Sequence, residues 1–197
     1  MVLPNPSHGG FDGGAVAGDG TVEKDINLEI CLSLQNMLQQ NGFEVIMTRT
    51  DDTATDSNDN EKIPSRKKSD LKNRLALMNK YNDAVFVSVH LNKFTTTAAF
   101  GSQVFYSGRD EKSKQLADKI QGSIVRLLQP ENTRVNKKAT SSTYLLYNAT
   151  VPAVLVECGF LSNSSELTKL KNPKYQRQMA FSIFCGITEF FNNNKEI

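Results

Sequence analysis

The stretch AVFVSVH, residues 84–90, is a continuous apolar run that ends in a histidine. A run of this length without polar alternation is typical of a strand that is buried on both faces, as in a parallel sheet covered by helices. The same character recurs in AVLVECGF, residues 153–160, and begins at Val2-Leu3. These three runs predict the centre of a parallel sheet.

Segments with helical periodicity lie between and after the apolar runs. In the first of them, Ile26, Ile30 and Leu34 recur at four-residue steps, and Asn41-Gly42 follows as a stop signal. Four such segments predict amphipathic helices, at residues 21–41, 66–81, 110–128 and 174–191.

Three shorter apolar stretches predict further strands: FEVIMTR at 43–49, QVFYS at 103–107 and TYLLYN at 143–148. The polar, acidic stretch at 50–65 predicts a solvated loop or flap. Strands that alternate with helices at this spacing predict the α/β class. We therefore expect a single-domain three-layer sandwich with a mostly parallel central sheet and helices on both faces, spanning residues 1–197.

Composition limits the classes of partner. The chain has 197 residues, 39% hydrophobic and 22% charged, which is an ordinary globular mixture rather than a disordered one. Its formal charge is only +2, and Lys and Arg are scattered among acids. Neither nucleic acid nor an anionic membrane surface is expected as a partner. The three cysteines lack C-x-x-C spacing, so a disulfide framework is not expected.

The N-terminal sequence is informative about the cellular location of the protein. No apolar run approaches the 18 to 20 residues, roughly, that cross a bilayer, so no transmembrane segment is expected in this sequence. A core strand nevertheless begins at Val2 with almost no lead-in. We interpret this abrupt start as the loss of an export signal or anchor, and expect an exported protein.

The sequence contains two histidines, and both follow predicted strands. His8 comes after the first apolar run and His90 closes the run at 84–90. Because open α/β sheets bind ligands at the carboxyl ends of their strands, the two imidazoles are expected to meet there. Glu23, which a glycine-rich stretch joins to His8, and Glu157, which four apolar residues precede, are the candidate carboxylates at the same edge.

Two imidazoles, one carboxylate and an open position form a standard catalytic zinc site. A further carboxylate that does not bind the metal is the usual general base beside such a site. The sequence therefore offers one ligand set and one base, with one zinc ion as the expected cofactor.

Each of these residues alone has a more ordinary explanation. A single loop histidine is usually a surface or capping group, and Glu23 favours the start of a helix through the helix dipole. Glu157 could pair with a basic residue. Cys158, a conceivable nucleophile, is more typical of an inert core thiol. The glycine-rich stretch matches no phosphate-binding motif well. Only their joint placement indicates a site.

Four ordered stretches together resemble one family: PSHGG with GFDGGAVAG, then TVEKDINL, then FVSVHLN, then PAVLVECGFLSN. In this order the chain is similar, nearly end to end, to the zinc-dependent N-acetylmuramoyl-L-alanine amidases of the type 3 family, which cleave bacterial peptidoglycan. The stretches SRKKSDLKNRL, HLNKF and TRVNKKATSSTYLL most resemble the germination-specific amidases of endospore-forming bacteria.

The resemblance implies roles for individual residues. Carried over position by position, it implies that His8, Glu23 and His90 bind zinc and that Glu157 is the catalytic carboxylate. The implied reaction hydrolyses the amide between the lactyl group of N-acetylmuramic acid and L-alanine of the stem peptide. In the germination-specific relatives this step precedes formation of muramic-lactam in the spore cortex. The implied location is the cell wall or the forespore intermembrane space.

The sequence departs from the family motif at two positions. Where the family usually has D-P-G-H-G-G, this chain has Asn5 and Ser7. A charged neighbour of a metal ligand is typically worth about 10- to 100-fold in metal affinity or activity. We therefore expect zinc to be held more weakly than in typical relatives, with an accessory protein or bound substrate completing the site. An Asn5→Asp variant in a chelator competition tests this expectation.

Two other functions remain open from sequence. The chain could be a zinc carboxypeptidase or endopeptidase that acts on stem peptides, although no basic residue for a peptide carboxylate can be placed. It could also be a non-catalytic cell-wall-binding protein of the same fold. Retention of all four candidate residues favours the enzyme.

Overall fold

The computed structural model describes residues 1–57 and 61–193. Its strands are β1 (Val2–Pro6), β2 (Val85–Asn92), β3 (Gln103–Tyr106), β4 (Lys137–Lys138) and β5 (Ala153–Phe160). Its helices are α1 (Glu23–Gln40), α2 (Ile63–Asn79), α3 (Glu111–Leu127), α4 (Tyr144–Asn148), α5 (Ser164–Leu170) and α6 (Pro173–Asn193).

The strands form one sheet in the order β1-β2-β5-β3-β4. β2 is parallel to both β1 and β5, β4 is parallel to β3, and β3 is antiparallel to β5. The prediction of an α/β fold with a mostly parallel sheet is confirmed. The apolar runs that predicted the sheet centre form β1, β2 and β5, three neighbouring strands.

Alternation along the strands divides the core into two hydrophobic layers. Val85, Val87 and Val89 pack with residues of α1, α3 and α6, whereas Phe86 packs on the other face with residues of α2 and α4. Side chains of a strand point to opposite faces in turn, so Ser88 and His90 share the face of Phe86. This parity places His90 on the side of the sheet that α2 covers.

Three helices agree closely with the predicted segments. In α1, Ile26, Ile30 and Leu34 are buried in the first layer, as their four-residue spacing requires. The Asp110 side chain accepts a hydrogen bond from the Lys112 amide at 2.9 Å and so caps α3. α3 and α6 cross where Gly186 faces the Ile120 backbone.

The prediction for TYLLYN is wrong, because residues 144–148 form α4 rather than a strand. A short apolar run carries no periodicity that separates strand from helix. Leu145 and Leu146 are buried in the second layer with Met78 of α2, and this tertiary contact favours the helical turn.

FEVIMTR does not form a regular strand, although it is extended beside β1. The Val2 amide donates to Glu44 O, and the Ile46 and Thr48 amides donate to Val2 O and Pro4 O. Only one bridge, between Val2 and Val45, results. β4 and α5, which are two and seven residues long, were not predicted.

The second predicted helix begins earlier than expected and buries few of its residues. α2 begins at Ile63, and its buried residues are Arg74 and Met78, whereas Leu71 is exposed. An arginine was not expected to point inward. Residues 58–60, within the predicted acidic loop at 50–65, lie outside the described residues. No helix within 1–57 and 61–193 is long and apolar enough to cross a membrane.

Candidate metal centre

The two histidines meet at the carboxyl edge of the sheet, as the sequence predicts. His8 follows the end of β1 by two residues and His90 lies near the end of β2, its parallel neighbour. Their ring centroids are 5.5 Å apart. Glu23, the first residue of α1, lies between the imidazoles and is only 3% exposed.

The three side chains present ligand atoms to a common point. Glu23 Oε1 lies 3.5 Å from His8 Nε2 and 3.3 Å from His90 Nδ1. One ligand atom from each residue lies within 4.8 Å of the others. Two atoms each about 2.0–2.2 Å from a tetrahedral zinc ion are separated by about 3.4 Å. Both the donor set and its spacing therefore fit zinc.

The cluster favours positive charge at its centre. Burial disfavours the imidazolium of His8, but hydrogen bonds with Asp12 and Glu23 outweigh burial and raise its pKa to about 9. Burial disfavours the Glu23 carboxylate, yet both histidines hold its pKa well below the ordinary range. Burial lowers the pKa of His90. A proton or a divalent cation between these groups meets the same electrostatic preference.

Asp12 fixes the orientation of His8, a role that the sequence did not predict. Its Oδ2 lies 2.8 Å from His8 Nδ1, so a neutral His8 that donates there has its Nε2 lone pair directed at the metal position. Lys67 of α2 contacts Asp12 Oδ1 at 2.8 Å. The only sign of this role in the sequence is that Asp12 follows His8 by four residues within the glycine-rich stretch.

Hydrogen bonds also hold Glu23 on both oxygens. The Leu91 amide and Asn27 Nδ2 donate to Oε1 at 3.0 and 3.2 Å, and the Ala15 amide donates to Oε2 at 2.8 Å. Leu91 follows His90 directly, so one ligand is attached to the strand that carries another. Carboxylate ligands with such support keep their rotamer and basicity.

Glu157 is half-buried beside this cluster. It is the register partner of His90 across β2 and β5, on the same face of the sheet. Its Oε2 is buried and has no hydrogen-bond partner in the described part of the chain. Burial, together with the charge of Glu23, raises the Glu157 pKa to about 8. A carboxyl group in this state can both accept and return a proton near neutral pH.

The glycine-rich stretch approaches the ligands closely at Gly14. The residue has a φ of +70°, and a Cβ there would lie 2.6 Å from Glu23 Oε2 and 2.7 Å from His8 Cδ2. Only glycine fits this position without displacing a ligand. The stretch therefore folds against the candidate metal centre.

The two departures from the family motif lie behind the ligands. Asn5 Oδ1 accepts hydrogen bonds from Thr48 and Arg74, and its Nδ2 donates to Ser88. Ser7 Oγ accepts from Asn27 Nδ2, which also donates to Glu23. Asn5 is thus connected to the ligands through Arg74, and Ser7 through Asn27. The expected weaker zinc binding remains a prediction.

A cavity of about 230 Å³ opens beside the two histidines. Its wall combines the charged side chains of Asp12 and Lys67 with the apolar side chains of Leu71 and Leu145. α2 and α4 supply this wall, so the helix that the sequence misassigned borders the site. His8 and His90 both line the cavity, so two of the candidate ligands face open space.

Comparison with known proteins connects this geometry with a family. A family model described as N-acetylmuramoyl-L-alanine amidase matches residues 2–189. The chain is 41% identical over 191 residues to the germination-specific N-acetylmuramoyl-L-alanine amidase of Bacillus subtilis, which covers 97% of this chain and 79% of that protein.

Solved structures have the same fold. The CwlD amidase from Clostridioides difficile, solved in complex with the GerS lipoprotein, superposes with a TM-score of 0.94 at 36% identity and covers 98% of both chains. An N-acetylmuramoyl-L-alanine amidase from Clostridium difficile 630 gives a TM-score of 0.84 at 33% identity, over 97% of this chain and 96% of the other.

Proposed function

The chain belongs to the N-acetylmuramoyl-L-alanine amidase family, and we propose that it uses one zinc ion to hydrolyse peptidoglycan during maturation of the spore cortex. The protein is a peptidoglycan amidase that serves spore germination. The scissile bond is the amide between the lactyl group of N-acetylmuramic acid and L-alanine. One observation carries the metal assignment: among the described residues, ligand atoms of His8, Glu23 and His90 converge within 4.8 Å. Glu157, whose buried Oε2 has no hydrogen-bond partner there, lies beside them.

The proposed mechanism divides the work among four side chains. His8, Glu23 and His90 would hold the ion, which would supply Lewis acidity toward a carbonyl oxygen and toward water. Glu157 takes a proton from the attacking water and returns it to the departing nitrogen of L-alanine. Without the ion, burial and the charge of Glu23 raise the pKa of Glu157 to about 8, so its surroundings favour the form that carries a proton. The stem peptide leaves intact, and the glycan strand is not cut.

Asp12 and the amides around Glu23 keep the ligands oriented during this cycle. Asp12 holds His8 through Nδ1, and the Ala15 and Leu91 amides hold the two oxygens of Glu23. Because these groups are in place before substrate enters, no reorganisation of the ligands is required at the moment of reaction.

The proposed location is outside the cytoplasmic membrane, in the cell wall or the forespore intermembrane space, where the substrate lies. We also propose that an accessory protein supports the metal site. The solved CwlD amidase, which is in complex with a lipoprotein, supports this suggestion. The spore-cortex role is supported by similarity to the germination-specific amidase of Bacillus subtilis.

Digestion of purified peptidoglycan, with and without added zinc, tests the function. Mass spectrometry is expected to find whole stem peptides with a free L-alanine amine, released in the zinc-containing sample and absent after chelation. Cleavage inside the stem peptide would indicate a carboxypeptidase or endopeptidase instead. Intact peptidoglycan in the presence of bound zinc would indicate a cell-wall-binding protein.

A further inference from the structure

The backbone that leads into His8 is held by two buried arginines. The carbonyl oxygens of Pro6, Ser7 and His8, three consecutive residues, all accept hydrogen bonds from Arg49 or Arg74. Arg49 is 5% exposed and Arg74 is 2% exposed. Guanidinium groups are rarely buried at this level, because desolvation is costly unless each N–H finds an acceptor.

Arg49 connects two segments that carry metal ligands. Its Nε donates to Pro6 O at 3.1 Å, and its Nη2 donates to Ser7 O at 3.2 Å and to Lys24 O at 2.8 Å. Ser7 precedes His8 in sequence and Lys24 follows Glu23. Arg49 Nη2 therefore joins the backbone just before His8 to the backbone just after Glu23. This contact fixes the distance between the two segments.

Arg74 acts on the same loop from the opposite side. Its Nη1 donates to Pro6 O at 2.9 Å, and its Nη2 donates to His8 O at 2.8 Å. Its Nε pairs with Asp70 at 2.7 Å, which compensates the charge and fixes the plane of the guanidinium. Arg74 thus holds the carbonyl group of the ligand residue itself.

The loop needs such support because His8 has a φ of +62°, the only positive value at a described residue other than glycine. An L-residue with a side chain persists in this region only when its surroundings determine the conformation. The three carbonyl groups would otherwise turn toward water. A lysine at either position could not reproduce the contacts, since an ammonium group is one point donor and lacks the planar fork.

We propose that Arg49 and Arg74 are positioning residues of the metal centre, which clamp the Pro6–His8 backbone and set the His8–Glu23 separation before the ion binds. The inference rests on the proposed function to the extent that these ligands bind zinc. It assigns neither arginine a contact with substrate or metal. Their effect is exerted through the carbonyl groups that precede and follow the ligands.

The test compares Arg49→Lys and Arg74→Lys with the unmodified chain. Zinc affinity is measured by chelator competition, and the visible absorption of the Co²⁺-loaded protein reports ligand geometry. Each variant is expected to bind zinc about 10- to 100-fold more weakly, the usual effect of losing outer contacts of a metal site. The Co²⁺ spectrum is expected to change, and excess zinc is expected to restore part of the activity.

Arg134→Lys is the matched control. Arg134 also donates to a backbone carbonyl, Phe100 O at 2.6 Å. Its contacts with Gln103 and the Phe160 ring lie on β3 and β5, away from the segments that carry His8, Glu23 and His90. It is expected to leave zinc affinity and the Co²⁺ spectrum unchanged, whatever its effect on thermal stability.

Several outcomes would overturn the proposal. Zinc affinities within twofold for the unmodified chain and both site variants would do so. An equal loss in Arg134→Lys would assign the effect to general destabilisation. If neither site variant folds, the arginines serve the whole domain rather than the centre, and the proposal fails. An unmodified chain that binds no zinc would instead contradict the proposed function itself.

Discussion

At the scale of single residues, the candidate metal centre depends on groups that orient the proposed ligands as much as on those ligands. His8 occupies the left-handed region of φ, where a residue with a side chain costs about 1–3 kcal/mol. Its ring is then held by Asp12 and its backbone by Arg49 and Arg74. Strain at one ligand is thus offset by contacts that also aim it.

Replacement of Asp12 tests the orientation of His8. Asp12→Asn removes the charge beside His8 Nδ1, and zinc affinity is expected to fall about 10- to 100-fold. Chelator competition measures the change. Asp19→Asn is the control, since Asp19 pairs with Lys171 on the surface at 2.7 Å. Similar zinc affinities for the two variants would contradict the role of Asp12.

Replacement of Glu157 separates proton transfer from metal binding. Glu157→Gln keeps the size of the side chain but cannot accept a proton, so kcat is expected to fall about 10²- to 10⁴-fold. Bound zinc, measured by mass spectrometry of metals, is expected to remain. Glu166→Gln is the matched buried control, because Glu166 accepts hydrogen bonds from the Gly101 and Phe160 amides and should affect stability only. Full turnover by Glu157→Gln would remove it from the mechanism.

Replacement of Gly14 tests whether the backbone must approach Glu23 and His8 closely. In Gly14→Ala the new Cβ would lie 2.6 Å from Glu23 Oε2, so Glu23 or His8 must move. Zinc binding and activity are both expected to fall at least tenfold, as measured by chelator competition and amide hydrolysis.

Gly20→Ala separates steric contact from backbone strain. Gly20 has a φ of +87° with no atom within 4 Å of a Cβ placed there. The variant therefore shares the conformational cost, about 1–2 kcal/mol, without any contact with a ligand. Equal zinc binding by the two variants would show that Gly14 does not limit the site.

The meeting of the candidate ligands could be predicted from sequence because their positions follow from topology. His8 and His90 follow apolar runs, and parallel strands bring such ends together. Asp12, Arg49 and Arg74 could not be predicted in the same way. Their partners are backbone carbonyls or residues in irregular loops, and no periodicity in sequence records which loop a long side chain reaches.

At the scale of elements, helices and strands were predicted correctly where buried apolar residues recur at regular intervals or form a continuous run. α1, α3 and α6 each bury a regular apolar stripe in the same layer, and β2 and β5 are apolar on both faces. The prediction was wrong at 143–148, where five residues form α4. It also gave no sign that Arg74 of α2 is buried, because this residue is buried for its hydrogen bonds rather than for hydrophobicity.

The crossing of α3 and α6 gives a prediction at this scale. A Cβ on Gly186 would lie 2.5 Å from Ile120 Cα, so Gly186→Ala must separate the helices. The expected cost is about 1–3 kcal/mol, as for other overpacked cores. For a chain of this size it corresponds to a decrease in Tm of about 2–4 °C per kcal/mol, measurable by calorimetry.

Gly122→Ala on α3 is the matched control for the crossing. Gly122 is exposed and a Cβ there would meet no atom within 4 Å. Alanine at this position is expected to stabilise the helix by up to about 1 kcal/mol, because it restricts the unfolded chain. A Gly186→Ala variant as stable as Gly122→Ala would contradict the close crossing.

At the scale of the whole molecule, the candidate metal centre is a product of tertiary structure. His8, Glu23 and His90 come from a loop after β1, the start of α1 and the end of β2, and Glu157 comes from β5. The local sequence around any one of them forms no site. The proposed ligands come together only when the chain is folded. Metal binding is therefore coupled to folding.

This coupling predicts that zinc raises the stability of the folded protein. Free zinc at about 100 times its Kd adds about 2.7 kcal/mol, and at about 1,000 times adds about 4.1 kcal/mol. With about 2–4 °C of Tm per kcal/mol, the first concentration raises Tm by about 5–11 °C relative to the chelated protein. Thermal unfolding at several zinc concentrations measures the shift.

Two variants decide whether the shift comes from this centre. His90→Ala removes a ligand and is expected to lose the zinc-dependent increase, whereas Glu157→Gln is expected to keep it. Zinc that binds the free thiols of Cys31, Cys158 and Cys185 after unfolding would lower Tm in both variants alike. A Tm that rises equally with zinc in His90→Ala and in the unmodified chain would place the binding elsewhere and remove the metal from the mechanism.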